Sequence, residues 1–229
     1  LDGKIYETEE DSQIWYNSLM NIFLLSVTDN LEKSLERSLS DEISKRGNTV
    51  AYVSSEPQGI DRPYYKSTIG DYSYFSPDVK VDYFDLSDNF SDEALLKLLD
   101  YGSIYLSGGN TYVFMDSSKK RNIYPILKKH LERGGLLIGA SAGSIMMSGS
   151  IDLAGLGGDK NTPNLNDTSG FNFVDFEFHP HYKDNEDLGY LTEYMKGRRN
   201  DLYLCKDGAG IFYSNGEVRL FGDVSKWNN

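Results

Sequence analysis

The chain has 229 residues, 39% of them hydrophobic, enough to bury one well-formed core with a small appendage. Lys and Arg total 23 against 35 Asp and Glu, a net charge of −12, and so acidic a surface repels phosphate backbones and argues against nucleic-acid binding. No apolar stretch approaches the roughly 20 residues that span a bilayer, and the single cysteine, Cys205, excludes both an internal disulfide and a multi-cysteine zinc site.

Residues 1–19 show no clean period and read as an N-terminal extension, with one domain over 20–229. The leader LDGKIYETEEDSQ is acidic, whereas a secretory signal starts basic, so a soluble cytoplasmic protein is expected. NIFLLSV, from Asn21, is a short continuous apolar run, the pattern of a strand buried on both faces. LEKSLERSLSDEISKRG follows with Leu31, Leu35, Leu39 and Ile43 at four-residue spacing, one helical stripe, and Gly47 stops it. NTVAYVSS is a second strand. The stretch from Glu56 to Pro77, rich in Tyr, Gly, Ser and Pro, reads as loop plus an irregular helix.

VKVDYFDL is the third strand, and SDEALLKLLDYG a short helix with Ser91 as N-cap and Gly102 as its stop. SIYLSGG is a fourth strand ending in two glycines. NTYVFMDSSKKRNIYPILKKHLERGG is helical, broken near Pro125, and its basic cluster KKHLER reads as a solvated face. GGLLIGASAGSIMMSGS is strand, turn and helix. This alternation predicts an α/β fold, a mostly parallel sheet with helices on both faces. The tail LYLCKDGAGIFYSNGEVRLFGD reads instead as consecutive strands with a hairpin turn at Asn215–Gly216.

The chemistry concentrates in LLIGASAGS. Gly139–Ala140–Ser141–Ala142–Gly143 matches G-x-S-x-G, between a buried strand and a helical run, the setting of a nucleophile elbow. Small flanking residues have a steric reason, since a strained turn brings neighbouring chains close. The bland alternative is a glycine-rich connection in which Ser141 is only an N-cap. A serine nucleophile needs a base, and FEFHPHY supplies His179 and His181 at a strand end, where alternate residues share a face. The other histidine, His130, lies within a helix. The base in turn needs a carboxylate. Asp207, in CKDGAG, is the best candidate downstream of the histidines, although Asp–Gly pairs are ordinary turn formers; Asp152 and Asp159 are the alternatives. SGGNT, from Ser107 to Thr111, also ends a strand and opens a helix. It lacks the lysine of a P-loop and the spacing of G-x-G-x-x-G. The N–H groups of Gly109 and Ala142 would make a two-donor oxyanion hole.

With SGGNTYVFM, IGASAGSIM, HPHY and KDGAGIFYSNG in this order, the chain resembles the dipeptidase E family of serine peptidases, the group of aspartyl dipeptidase, with cyanophycinase as a relative, over roughly Met20 to Phe221. The resemblance implies a three-layer α/β sandwich like that of class I glutamine amidotransferases. It makes Ser141 the nucleophile and His181 the catalytic histidine, leaving His179 secondary. Asp207 falls where the family carries a glutamate, one methylene longer. Gly109 and Ala142 match the oxyanion donors, and Asn110 and Thr111 match positions that help hold substrate. The implied substrate is a short peptide, cleaved without cofactor or metal by a monomer or homodimer. Selecting an N-terminal aspartate requires a cationic group, and Arg198 and Arg199 are ambiguous for that role. The rivals are an α/β esterase, which places its acid before its histidine, and an inactive binding domain of the same fold. A glutamine amidotransferase would need Cys205 at the elbow.

Overall fold

The computed structural model describes residues 20–55, 62–88, 91–184 and 189–227. The proposed extension 1–19 lies outside them, as do residues 56–61 of the Tyr-rich stretch. Among the described residues ten strands form two sheets. The larger has the order β3-β2-β4-β5-β1-β8-β9, from β1 (Asn21–Leu25), β2 (Thr49–Ser54), β3 (Lys80–Asp85), β4 (Ser103–Leu106), β5 (Leu136–Ala140), β8 (Gly210–Ser214) and β9 (Glu217–Phe221). Its first five members are parallel; β8 runs antiparallel to β1, and β9 to β8. The smaller sheet is β10-β7-β6, from β6 (Phe176–His179), β7 (Asp201–Cys205) and β10 (Val224–Lys226).

Strands buried on both sides explain the continuous apolar runs. In β1, Phe23 and Leu25 face one core cluster while Ile22 and Leu24 face the other. The first cluster is closed by α1 (Lys33–Ser44), whose Leu35, Leu39 and Ile43 are fully buried, each contributing about 1.5–3 kcal/mol of apolar burial. Tyr72 of α2 (Pro63–Phe75) joins it. The second cluster takes Leu95 from α3 (Asp92–Leu96), Phe114 and Met115 from α4 (Thr111–Lys120), and Leu127 and Leu131 from α5 (Tyr124–Glu132). The small sheet packs on this same side through Phe176, Phe178, Tyr203 and Cys205. The described residues also hold a 3-10 helix (Lys97–Asp100) after α3 and three short helices, α6 (Ala142–Ile145), α7 (Asp152–Leu156) and α8 (Gly189–Met195).

Several expectations are refined. The Tyr-rich stretch holds a regular 13-residue helix, with Pro63 in its first turn and Thr68 and Tyr72 buried at helical spacing. Its many weak helix formers make it read as irregular in the sequence. Ser91 occupies the N-cap of α3 but makes no side-chain cap bond. The long helix breaks at Asn122, φ 48°, just ahead of Pro125 in the first turn of α5. KKHLER is not a uniformly solvated face, because His130 and Leu131 are buried. The Asn215–Gly216 turn joins β8 to β9, both residues having positive φ (54° and 81°), as a tight hairpin of this kind requires. β7 leaves the run of consecutive tail strands and pairs in the small sheet with β6 and β10.

Register then assembles one edge. Leu25 lies opposite both Ala140 and Gly210, and Leu106 opposite Gly139. The residues after β1, β4 and β5 and those before β8 therefore meet at the same end of the large sheet. His179 pairs with Leu204, so the chain after β6 runs beside the chain after β7. That second chain crosses to β8 and carries the end of β6 with it toward the same edge.

Candidate active site

Ser141 sits between β5 and α6 with φ 51° and ψ −110°, a conformation that is rare and strained for a residue bearing a Cβ. Its N–H donates to the Leu25 carbonyl at 2.9 Å. The flanking glycines are sterically required. A Cβ on Gly139 would lie 2.6 Å from the Gly143 carbonyl carbon, and one on Gly143 would lie 2.2 Å from the Leu106 carbonyl oxygen. The helix thus crosses its own strand and β4 at backbone contact. Ser144, fully buried, binds α6 to β1: its hydroxyl donates to the Leu25 carbonyl (2.9 Å) and accepts from the Leu25 N–H (3.0 Å).

Opposite Ser141 stands His181. Its Nε2 lies 2.9 Å from Ser141 Oγ and its Nδ1 2.7 Å from Asp207 Oδ1. The two histidines do not share a strand face. β6 ends at His179, and His181 turns out of extended geometry with φ 59°. His179 is buried instead, its Nε2 3.2 Å from the Tyr190 hydroxyl. Of the three candidate carboxylates, Asp207 meets His181. Asp152 pairs with Arg198 at 3.4 Å, and Asp159 accepts the Thr111 N–H at 2.8 Å. Asp207 is also a turn residue: Ala209 N–H donates to the Lys206 carbonyl, and Gly208 takes the positive φ, 84°. Partial burial pushes the Asp207 carboxyl up. The hydrogen bonds it accepts from Ser26 and His181, with the fields of His181 and Lys183, outweigh this and hold it below the usual aspartate range.

Ser26 was not singled out by sequence reasoning. It follows β1, is fully buried, donates its hydroxyl to Asp207 Oδ1 at 2.7 Å and accepts the His181 N–H at 2.8 Å. The available signal was a serine closing an apolar strand at the carboxyl end, the edge where parallel sheets build their sites.

Gly109, φ 123°, faces the elbow from the β4–α4 loop. Among the described residues neither its N–H nor that of Ala142 has a protein acceptor. Asn110 Oδ1 caps α4 by accepting from Val113 N–H, and its Nδ2 donates to the Lys160 carbonyl; it lines neither cavity beside Ser141. Thr111 lines one of them, and its buried Oγ1 has no partner among the described residues. The two cavities flank Ser141 and His181. One, about 500 Å³, is bounded by Tyr52, Tyr64, Thr68, Asp71 and Tyr105. The other, about 400 Å³, is bounded by Thr111, Leu153, Asp159, His179 and Lys183. Arg198 lines neither; it stacks on Tyr194 and reaches Glu177 and Asp152. Cys205 is buried, and burial pushes its thiol up to about 12, so it offers no thiolate. No helix among the described residues is long and apolar enough to cross a membrane.

Fold and site together define a class: a mostly parallel α/β protein presenting a serine on a strand–helix elbow toward a histidine–carboxylate pair. The profile of peptidase family S51 matches residues 22–221, and the chain belongs to that family. An uncharacterized peptidase of Listeria monocytogenes is 25% identical over 182 residues, 77% of this chain and 87% of the relative. Peptidase E of Salmonella heidelberg is 26% identical over 136 residues, 54% of this chain and 57% of the relative. The fold matches the crystal structure of a peptidase E-type protein from Listeria monocytogenes with a TM-score of 0.71 at 22% identity, covering 89% and 98% of the two chains. A peptidase from an acI-B1 actinobacterium matches with a TM-score of 0.63 at 15% identity over 92% and 91%.

Proposed function

We propose that this peptidase cleaves short peptides by acyl transfer through Ser141. One observation carries the reading: His181 lies within hydrogen-bond distance of Ser141 Oγ on one ring nitrogen and of Asp207 on the other, 2.9 and 2.7 Å. Asp207 holds the imidazole with Nδ1 protonated, which leaves Nε2 as acceptor for the serine proton. The freed Oγ attacks the peptide carbonyl carbon. The developing oxyanion is held by the N–H groups of Gly109 and Ala142, each such donor typically worth ~10²–10³ in rate. His181 returns the proton to the leaving amine, and water, deprotonated by the same nitrogen, releases the acyl group. Thr111 and His179, on the wall of the smaller cavity, are the side chains offered to substrate there; Asn110 supports them by shaping the loop.

An N-terminal aspartate would need a cation. Lys183 is the Lys or Arg side chain among those lining the two cavities, which makes it the partner for such a carboxylate. The carboxylate on His181 follows it in the chain, which disfavours the esterase order. Ser141→Ala is expected to abolish hydrolysis across a dipeptide library containing Asp-X and neutral X-X members, with an unchanged circular dichroism spectrum. Full turnover by that variant would exclude the mechanism. A wild-type chain that hydrolyses no peptide and resists fluorophosphonate labelling would favour a non-catalytic binding role.

A further inference from the structure

Asp207 and His181 are poorly enclosed for a pair whose geometry must be held. Their side chains are 57% and 46% exposed. His181 also keeps a left-handed backbone, φ 59°, a state that persists only where surroundings over-determine it. Packing from outside cannot supply that restraint. Ser26 can, because it is fully buried and continues β1, a strand paired on both sides.

Hydrogen bonds to both loops of the pair converge on this residue. Its N–H donates to the Ala209 carbonyl at 3.3 Å, tying it to the loop that bears Asp207. Its hydroxyl hydrogen goes to Asp207 Oδ1, the same oxygen that faces His181 Nδ1. Its oxygen accepts the His181 backbone N–H and lies 3.5 Å from the ring Nδ1. One hydroxyl has one hydrogen and two lone pairs. Here the hydrogen fixes the carboxylate, and the oxygen fixes the backbone from which the imidazole projects.

We propose that Ser26 is the positioning residue that locks the His181–Asp207 pair onto Ser141. The inference rests on the peptidase reading above. Ser26 acts through its two partners and takes no part in bond making. A hydroxyl that was merely satisfied in the core would affect stability and leave turnover alone.

The test compares wild type, Ser26→Ala, Ser26→Cys, Asp207→Ala and the Ser26→Ala/Asp207→Ala double variant. Ser26→Ala is expected to lower kcat by about 10- to 100-fold, as loss of a supporting partner typically does, with KM within about 2-fold. Ser26→Cys, with a weaker donor of similar shape, should fall between. In the Asp207→Ala background the alanine should cost clearly less than in wild type, because one of the two partners it orients is gone and only the His181 backbone N–H remains. A kcat within about 2-fold of wild type in Ser26→Ala, or an independent loss in the double variant, overturns the proposal. Should Ser26→Ala fail to fold, full kcat in Ser26→Cys overturns it equally, and a reduced kcat at the wild-type melting temperature supports it. The His181 Nδ1 proton resonance, recorded by NMR without substrate, separates this inference from the peptidase reading. If wild type cleaves no peptide, that reading fails by itself, while an Nδ1 resonance unchanged in Ser26→Ala still sinks the role of Ser26 and a shifted or broadened one supports it.

Discussion

Asp207 concentrates the demands on a single side chain. It must stay ionised, face Nδ1 of His181, and do so from the second position of a tight turn. The short side chain reaches Nδ1 from a turn that Gly208 allows, and Ser26 meets the same oxygen. Asp207→Asn keeps the shape but favours the wrong imidazole tautomer, so kcat should fall by roughly 10³-fold or more at unchanged fold, measured by steady-state kinetics. Because its native value is depressed, Asp207 adds stability above about pH 4 that is lost as pH falls through that lower value. Half-exposure screens that contribution. The serine and both histidines stood out in the chain by motif and scarcity. Ser26 did not, since nothing local distinguishes a serine that bonds two distant residues from one that merely ends a strand.

At the scale of elements, the elbow is a packing solution before it is a chemical one. α6 is a single turn and could not exist alone. It is held because Gly139 and Gly143 let it approach β5 and β4, and because Ser144 exchanges hydrogen bonds with β1. Gly143→Ala places a methyl against the immobile Leu106 carbonyl, so a loss of about 1–3 kcal/mol is expected in urea unfolding, together with loss of activity. A turn that tolerated alanine would contradict the close crossing. Both glycines were legible as motif positions. Which backbone each one touches was not, because β4 and β1 reach the elbow only through sheet pairing. The helix Pro63–Phe75 shows the opposite failure, where weak local preference was overridden by burial of Thr68 and Tyr72.

For the whole molecule, the buried His130 couples folding to pH. Its Nε2–H donates to the Leu136 carbonyl at 3.2 Å, and its ring lies where a Cβ on Gly135 would fall. Burial pushes its pKa down to about 4. The unfolded chain takes the proton near pH 6.5 while the native one does not, so stability declines from that pH toward about 4 and the difference then stays constant. The decline should amount to roughly 2–3 kcal/mol between pH 7 and 4.5. Urea unfolding of wild type and His130→Gln at both pH values checks this, and equal pH sensitivity would contradict it.

Apolar runs, a helical stripe and glycine placement are local properties, and from them alone came the parallel α/β architecture, the hairpin and the elbow serine. The motifs in series pointed to the peptidase family that residues 22–221 match. His181 and Asp207 stand in the sequence as candidate partners of that serine; their contact geometry, and Ser26, required the fold. Asp207 reaches His181 across 26 residues because β6 and β7 pair in register, and Ser26 reaches Asp207 across 181 because β1 and β8 do. Strand pairing is non-local, and a chain read in one dimension carries no measure of which strand ends will share an edge.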